Sequence, residues 1–205
     1  MPCLDVAATF MKSTSNRNQL RIIGGAWRGR RLAFPPVPGL RPTPDRVRET
    51  LFNWLAPTLV GARCLDLFAG SGALGLEAAS RGAAQVVLVD SDRQVTAALR
   101  EHAVRLQAGE AVEVVQADAL TFLDGPARPF DVVFLDPPFS RGLLAPCIAR
   151  LEAGGWLAHD GYLYLEAERH LAEPPLPTGW EIVRSKTAGQ VGYHLARPRS
   201  SKSQG

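Results

Sequence analysis

The pattern of hydrophobic and polar positions changes character near residue 61. Before that point, two short alternating runs on either side of Gly24 and Gly25 predict a small β-hairpin. A proline-rich connector follows, and Thr43 is expected to cap a helix whose first turn contains Pro44. The apolar face of this predicted helix consists of Val47, Leu51, Phe52, Trp54 and Leu55.

Beyond this point, short apolar runs alternate with helical patterns. The predicted strands are RCLDLFA, QVVLVD, VEVVQAD, FDVVFLD and GYLYLEAE, and the predicted helices between them are GALGLEAASRG, DRQVTAALREHAVRLQ, ALTFL and LLAPCIARLEAGG. Near-continuous apolar strands joined by helices are typical of a parallel sheet that is buried on both faces. The last run, WEIVRSKTAGQVGYHLA, predicts a terminal hairpin. We therefore predict an α/β fold with a doubly wound, mainly parallel seven-stranded sheet and an antiparallel C-terminal hairpin.

These patterns divide the chain into four segments. Residues 1–19 are expected to form a disordered extension, and residues 20–60 form the hairpin and helix, a small appendage. Residues 61–197 form the predicted sheet domain, and residues 198–205 are expected to be a flexible tail.

Composition narrows the class of protein. The chain of 205 residues is 46% hydrophobic and 21% charged, which is ordinary for a soluble globular protein. No apolar run approaches the ~18 residues of a membrane helix, and the first residues lack the basic leader of a signal peptide. The three cysteines have the spacing of neither a zinc site nor a disulfide framework. These observations favour a cytoplasmic protein without a metal site or a membrane partner.

Positive charge is concentrated at the amino-terminal end. Residues 1–50 contain nine Lys or Arg and three acids, a balance of +6, although the whole chain carries only +3. Two interpretations stay open at this point: a solvated charged face, or a basic arm that binds a polyanion through its phosphates. The candidate nucleic-acid contacts are Arg28, Arg30, Arg31, Arg46 and Arg48.

Four predicted strands end in or next to an acid: Asp66, Asp90, Asp118 and Asp136. Ligands of doubly wound sheets bind at the carboxyl ends of the strands, so four acids there indicate a site more than they indicate helix capping. The run after the first strand has glycines with the spacing of a dinucleotide fingerprint, at Gly70, Gly72 and Gly75.

The position of the acids favours S-adenosylmethionine as the ligand. Asp66 would repel a pyrophosphate but suits the α-amino group of a methionine moiety. Asp90 can accept hydrogen bonds from two ribose hydroxyls, and Asp118 can accept one from an adenine amino group. A dehydrogenase that uses NAD is the alternative reading of the glycine spacing.

The stretch DPPF at residues 136–139 predicts the catalytic centre. An exocyclic base amine is a weak nucleophile because its lone pair is delocalised into the ring. Asp136 and the carbonyl of Pro137 could accept its two N–H groups and turn the lone pair toward a sulfonium methyl, while Pro138 stiffens the turn. Phe139 could stack on the flipped base, a contact worth ~1–3 kcal/mol, or could be a core aromatic residue.

The acid in this motif also bears on the identity of the base. Guanine presents N1–H and N2–H side by side, and a carboxylate can accept both. Adenine presents a donor beside an acceptor, which suits an asparagine amide better. Asp136 therefore favours guanine, although an aspartate is compatible with adenine as well.

With these motifs identified, the chain resembles the bacterial 16S ribosomal RNA guanine-N2 methyltransferases of the RsmD type. The resemblance runs from about Leu20 to Ala196 and includes RIIGGAWRGRRL, LRPTPDRVRETLFNWL, LDLFAGSGALGLEAASRGA, VLVD, FDVVFLDPPF and GYLYLE. It implies a class I methyltransferase fold, S-adenosylmethionine as methyl donor, and a guanine of 16S ribosomal RNA, within an assembling small subunit, as the target.

The resemblance also implies roles for particular residues. Arg41 and Thr43 should lie beside the active site and close the cofactor pocket, while Arg46 and Arg48 either contact phosphate or support that pocket. The expected cofactor-binding set is Asp66, Phe68, Ala69, Gly70, Gly72, Asp90, Ser91, Asp118, Ala119, Arg41 and Thr43.

Two alternatives remain beside this hypothesis. One is a methyltransferase for another amine, either adenine N6 in nucleic acid or a protein glutamine. The other is a non-catalytic RNA-binding module, which the intact DPPF motif and strand-end acids disfavour. We expect a monomer, because nothing in the sequence requires a dimer.

Overall fold

One seven-stranded sheet organises the molecule. The structure is a computed structural model, and it describes residues 18–37, 40, 42–138, 141–168 and 174–199. The strands are β1 Gln19–Arg21, β2 Arg31–Ala33, β3 Arg63–Asp66, β4 Gln85–Asp90, β5 Val112–Gln116, β6 Phe130–Leu135, β7 Leu157–Glu168, β8 Trp180–Ala188 and β9 Val191–Pro198. The helices are α1 Asp45–Leu59, α2 Gly75–Ser80, α3 Arg93–Arg105, α4 Ala119–Leu123 and α5 Leu144–Gly154.

The strand order in this sheet is β5-β4-β3-β6-β7-β9-β8. The first five are parallel, and β9 lies antiparallel between β7 and β8. The predicted α/β class and the antiparallel terminal hairpin are therefore confirmed. The chain winds outward from β3 in one direction and from β6 in the other, so the carboxyl ends of these two strands form the topological switch point at which ligands of such sheets bind.

Both faces of the sheet are buried, and alternate residues of each strand point to opposite faces. On one face, Cys64 and Val86 belong to a core that includes α1, α2 and α3. On the other, Leu65 and Val87 belong to a core that includes α4 and α5. This arrangement explains the near-continuous apolar strand patterns, because a strand covered on both sides has no solvent-facing positions.

The amino-terminal segment is more closely integrated than an appendage. Strands β1 and β2 form the predicted hairpin, but Leu20, Leu32 and Leu51 are buried in the same core as β3 and β4. Helix α1 thus covers one face of the sheet.

Three details of the sequence interpretation need correction. Pro44, not Thr43, precedes α1 at its cap position, and no side chain caps the helix. Gln19 already belongs to β1 and Pro198 still belongs to β9, so both predicted segment boundaries are off by one residue. The rest of the two predicted flexible termini lies outside the described residues, apart from Asn18 and Arg199. Within the part of the chain that is described, no helix is long and apolar enough to cross a membrane.

Candidate active site

The turn between β3 and α2 depends on its glycines. Gly70 and Gly72 have φ values of +51° and +80°, a region that side chains other than glycine rarely adopt. Gly75, at the start of α2, packs directly against Leu88, and a Cβ there would overlap that side chain. The turn therefore lies at the switch point between β3 and β6, with Gly70 partly exposed and Gly72 buried.

Asp66 holds this turn from the inside. Its Oδ2 accepts a hydrogen bond from the Gly75 N–H at 3.0 Å, and the Phe68 N–H also donates to the carboxylate. Burial raises the pKa of Asp66 to about 7, against the opposing effect of these backbone donors. Asp66 is only 2% exposed, and the expectation that it meets the amino group of the cofactor stays a prediction. We assign it to shaping the glycine turn.

Asp90, at the end of β4, connects the next strand to the same turn. Its Oδ2 accepts from the Gly70 N–H and its Oδ1 from the Asp92 N–H, both at 2.9 Å. The carboxylate is partly exposed, and burial is the main cause of its raised pKa. The Ser91 N–H also donates to this carboxylate, so much of its acceptor capacity serves the turn, and its bonding to the ribose hydroxyls stays a prediction. Ser91 follows and is exposed.

Asp118 does act as a helix cap, in addition to any role in binding. Its Oδ1 accepts from the N–H groups of Leu120 and Thr121 at 3.0 and 3.2 Å, so it caps α4. The side chain is exposed and Ala119 behind it is buried. Both of these bonds go to Oδ1, and within the described residues Oδ2 remains for the predicted hydrogen bond from an adenine amino group.

Asp136 lies at the end of β6, on the other side of the switch point. It is partly exposed, Pro137 is buried and Pro138 is exposed. The pKa of Asp136 is raised well above its ordinary value, first by burial and then by the nearby charges of Glu166 and Asp66. Phe139 and Arg41, both predicted site residues, lie outside the described residues.

Glu166, on β7, is a site residue that the sequence interpretation missed. Tyr164 donates its hydroxyl proton to Glu166 Oε1 at 2.7 Å, and Thr43 also hydrogen-bonds to this carboxylate. Glu166 and Thr43 are each 7% exposed and Tyr164 is fully buried. The available signal was an acid inside the apolar run GYLYLEAE, since acids are rarely buried without a partner. Thr43 therefore lies beside Glu166, and its expected role in closing the cofactor pocket stays a prediction.

The arginines of the basic segment fall into two groups. Arg28, Arg30, Arg31 and Arg46 are exposed. Arg48 is 1% exposed and forms ion pairs with Asp45 and with the fully buried Glu77. The prediction that Arg48 contacts RNA is therefore wrong, because its guanidinium is buried where phosphate cannot reach it.

The basic hairpin is tied to the cofactor side of the molecule. Glu77, on α2, also accepts from the Ile23 N–H at 2.9 Å and from Arg81 at 2.7 Å. At the end of the same helix, the Trp27 N–H donates to Ser80 Oγ at 2.9 Å, and the Ser80 hydroxyl donates to the Gly24 carbonyl at 2.6 Å. The helix that begins at the glycine turn thus ends against the hairpin loop.

Comparisons with known proteins show the family to which this chain belongs. A family model described as Conserved hypothetical protein 95 matches residues 20–197. The Ribosomal RNA small subunit methyltransferase D of Escherichia coli strain K12 is 54% identical over 181 residues, which is 88% of this chain and 91% of the relative. The protein of the same name from Haemophilus influenzae is 42% identical and covers 90% and 97% of the two chains. This chain belongs to that methyltransferase family.

A solved structure agrees with this assignment. The Escherichia coli protein yhhF, a candidate methyltransferase, superposes with a TM-score of 0.83 at 49% identity, covering 89% of this chain and 99% of that one. The chain is therefore a methyltransferase with S-adenosylmethionine as its methyl donor, and the reading as a non-catalytic RNA-binding module is set aside.

The residues of the cofactor side fit S-adenosylmethionine. Asp90 and Asp118 place carboxylates after β4 and β5, and Gly70 and Gly72 have positive φ in the turn after β3. Their contacts with the ribose, the adenine amine and the amino-acid part of the cofactor stay predictions. Phe68 is partly exposed beside this turn, and Ala69 is buried behind it. When bound, the cofactor supplies an electrophilic methyl group on a sulfonium.

Proposed function

We propose that this methyltransferase modifies the exocyclic N2 of one guanine in the 16S RNA of the small ribosomal subunit. The observation that carries the proposal is Asp136, a partly exposed carboxylate directly after β6 at the switch point of the sheet. The relatives' name, Ribosomal RNA small subunit methyltransferase D, supports ribosomal RNA as the substrate.

The proposed chemistry follows from the acceptors at the end of β6. Ionised Asp136 accepts hydrogen bonds from the donors on the guanine edge, and the Pro137 carbonyl accepts the remaining amine proton. These contacts rotate the nitrogen lone pair out of conjugation and draw off positive charge as the nitrogen becomes tetrahedral. The two prolines hold both acceptors in place before the base arrives. In this proposal Phe139 stacks on the flipped base.

The exposed arginines supply the proposed RNA contact. Arg28, Arg30 and Arg31 lie on or beside the hairpin, and Arg46 lies in the first turn of α1. Phosphate contacts provide affinity that does not depend on sequence, so these residues would orient the RNA while the active site selects the base. We further propose that the enzyme acts as a monomer in the cytoplasm, on a subunit that is being assembled.

The proposal is tested with small subunits from a strain that lacks the enzyme. Incubation with the purified enzyme and tritiated S-adenosylmethionine should label 16S RNA, and digestion should release the label as N2-methylguanosine. Label recovered as N6-methyladenosine, or in protein, would replace guanine N2 with one of the alternative amines. Naked 16S RNA, tested in parallel, shows whether the assembled particle is needed.

A further inference from the structure

The active site contains a second carboxylate beside Asp136. Strands β6 and β7 are parallel, and Leu135 pairs with Leu165. Asp136 directly follows Leu135, and Glu166 directly follows Leu165. The two acids therefore lie side by side at the carboxyl end of β6. Glu166 is 7% exposed, so this acid is buried next to the proposed catalytic one.

The two acids are held differently. Burial raises the pKa of Glu166, but the hydrogen bonds from the hydroxyls of Tyr164 and Thr43 act in the opposite direction and favour its ionised form. Among the hydrogen bonds between described residues, none is donated to the Asp136 carboxylate. Among the described residues, Glu166 therefore has the donors that a charge requires, whereas Asp136 has none before a ligand binds.

The surroundings of the pair contain one further acid. The groups in the described part of the chain that act on Asp136 and Glu166, or that face them across the strands, are Thr43, Asp66 on β3, Tyr164 on β7 and Tyr193 on β9. Two adjacent carboxylates, of which Glu166 is buried and Asp136 is partly exposed, do not both ionise readily, and they titrate as a pair.

We propose that Glu166 is a positioning residue that sets the protonation state of Asp136. Glu166 remains the ionised member, anchored by the two hydroxyls, and its charge keeps a proton on Asp136 while the base is absent. Entry of the base supplies N–H donors to Asp136, its O–H bond breaks, and the proton leaves to solvent. This inference rests on the proposed role of Asp136 as the acceptor of the amine.

The same arrangement serves the end of the reaction. A methylated amine must lose one N–H proton, and transfer of that proton to Asp136 leaves the bonding electron pair on the nitrogen. The charge of Glu166 strengthens Asp136 as the acceptor. Thr43 belongs to the segment expected to close the cofactor pocket, so its bond to Glu166 connects that segment to the charge state of the catalytic acid.

The test is Glu166→Gln, which removes the charge and keeps an oxygen that can accept from Tyr164. The acidic limb of kcat/KM reports the ionisation of Asp136 in the free enzyme. We expect this limb to move to lower pH in the variant, so that it retains several-fold more of its plateau activity where the wild type has fallen to one tenth. A purely structural role for Glu166 would not move the limb. Glu113→Gln is the matched control. Glu113 lies on β5, an outer strand of the sheet far from Asp136, and forms an exposed ion pair with Arg128. This substitution should leave the acidic limb at the same pH.

A second measurement needs neither cofactor nor RNA. The carboxyl carbons of Asp136 and Glu166 are titrated by ¹³C NMR in the free wild-type protein and in Glu166→Gln. We expect the wild-type Asp136 signal to titrate at raised pH with a dependence on Glu166, and to titrate at lower pH in the variant. An Asp136 signal that is unchanged by the substitution would overturn the inference. If the variant does not fold, the wild-type titration alone decides. An Asp136 signal that titrates in one step at the ordinary pKa of an aspartate would also overturn the inference. Full methylation by Asp136→Ala would instead refute the proposed function and leave this titration result intact.

Discussion

The acids on the two sides of the switch point differ in what holds them. On the cofactor side, Asp66, Asp90 and Asp118 each accept hydrogen bonds from backbone N–H groups of the following turn. On the side of β6 and β7, Glu166 is bonded to side-chain hydroxyls, and Asp136 receives none of the hydrogen bonds found between described residues.

This difference distinguishes carboxylates that shape the site from the carboxylate that we propose acts on the substrate. A carboxylate that accepts backbone donors fixes a loop and has part of its acceptor capacity used. A carboxylate without donors is costly to bury, and it persists where a ligand provides the missing hydrogen bonds. The same distinction applies to the arginines, since Arg48 is tied to buried acids whereas Arg28, Arg30 and Arg31 remain exposed.

Asp136→Ala should have the largest effect on activity. Loss of the acceptor should lower kcat about 10²–10³-fold, as removal of one oriented hydrogen-bonding group does in other enzymes. Because the folded-state pKa of Asp136 is raised, its ionisation opposes folding at high pH. The variant should therefore unfold at higher urea concentration than the wild type at pH 8, with a smaller difference at pH 5. Asp160→Ala, at a 94% exposed side chain, is the control. A variant Asp136→Ala that keeps wild-type kcat, or that is less stable than the wild type at pH 8, would contradict the contrast drawn between the two groups of acids.

Arg48→Ala should have the next largest effect, on stability. Removing one partner from a buried ion pair leaves Glu77 with a buried charge, and such losses cost roughly 3–5 kcal/mol. Urea unfolding measures this change, and Arg46→Ala, on an exposed arginine of the same helix, should cost less than about 0.5 kcal/mol. Equal stabilities of the two variants would show that the buried network contributes little.

Asp66→Asn should change how stability depends on pH. The pKa of Asp66 is raised to about 7 in the folded protein from an ordinary value of 3.8. A raised folded-state pKa means that stability is fully present below pH ~4 and is lost as the pH rises through ~7. The wild type should lose on the order of 4 kcal/mol across this window through Asp66. The variant should lose less because its amide does not titrate, and the amide oxygen can still accept from Gly75. Parallel slopes in urea titrations from pH 4 to pH 8 would contradict this.

Single substitutions of Arg28, Arg30 or Arg31 to Ala should have the smallest effects. Each should reduce the slope of log affinity against log salt concentration by about 1 if it contacts a phosphate. Stability should stay within about 0.5 kcal/mol, because these side chains are exposed. Filter binding of 16S RNA over a range of salt concentrations measures the slope. If the slope is unchanged in all three variants, these arginines do not contact phosphate and the RNA binds to another surface.

Local patterns were sufficient for much of this molecule. Strand β4 and helix α4 have the bounds that their apolar patterns predict, and the glycine run and DPPF motif lie at the predicted strand ends. Such features follow from the period of side-chain directions and from turn chemistry, both of which involve neighbouring residues.

Other features were decided by contacts between distant segments. Whether Arg48 faces solvent or Glu77 depends on how α1 packs against α2, and nothing in a run of basic residues shows which arginine turns inward. Glu166 became visible only when β7 was placed beside β6, because its meaning depends on Asp136, Tyr164 and Thr43 together. The sequence by itself determined the fold class and the methyl donor and located the candidate catalytic motif, since these reside in short contiguous patterns. Only the tertiary structure decided which charges are buried and paired, because burial and Coulomb interactions depend on distances in space and not on separation along the chain.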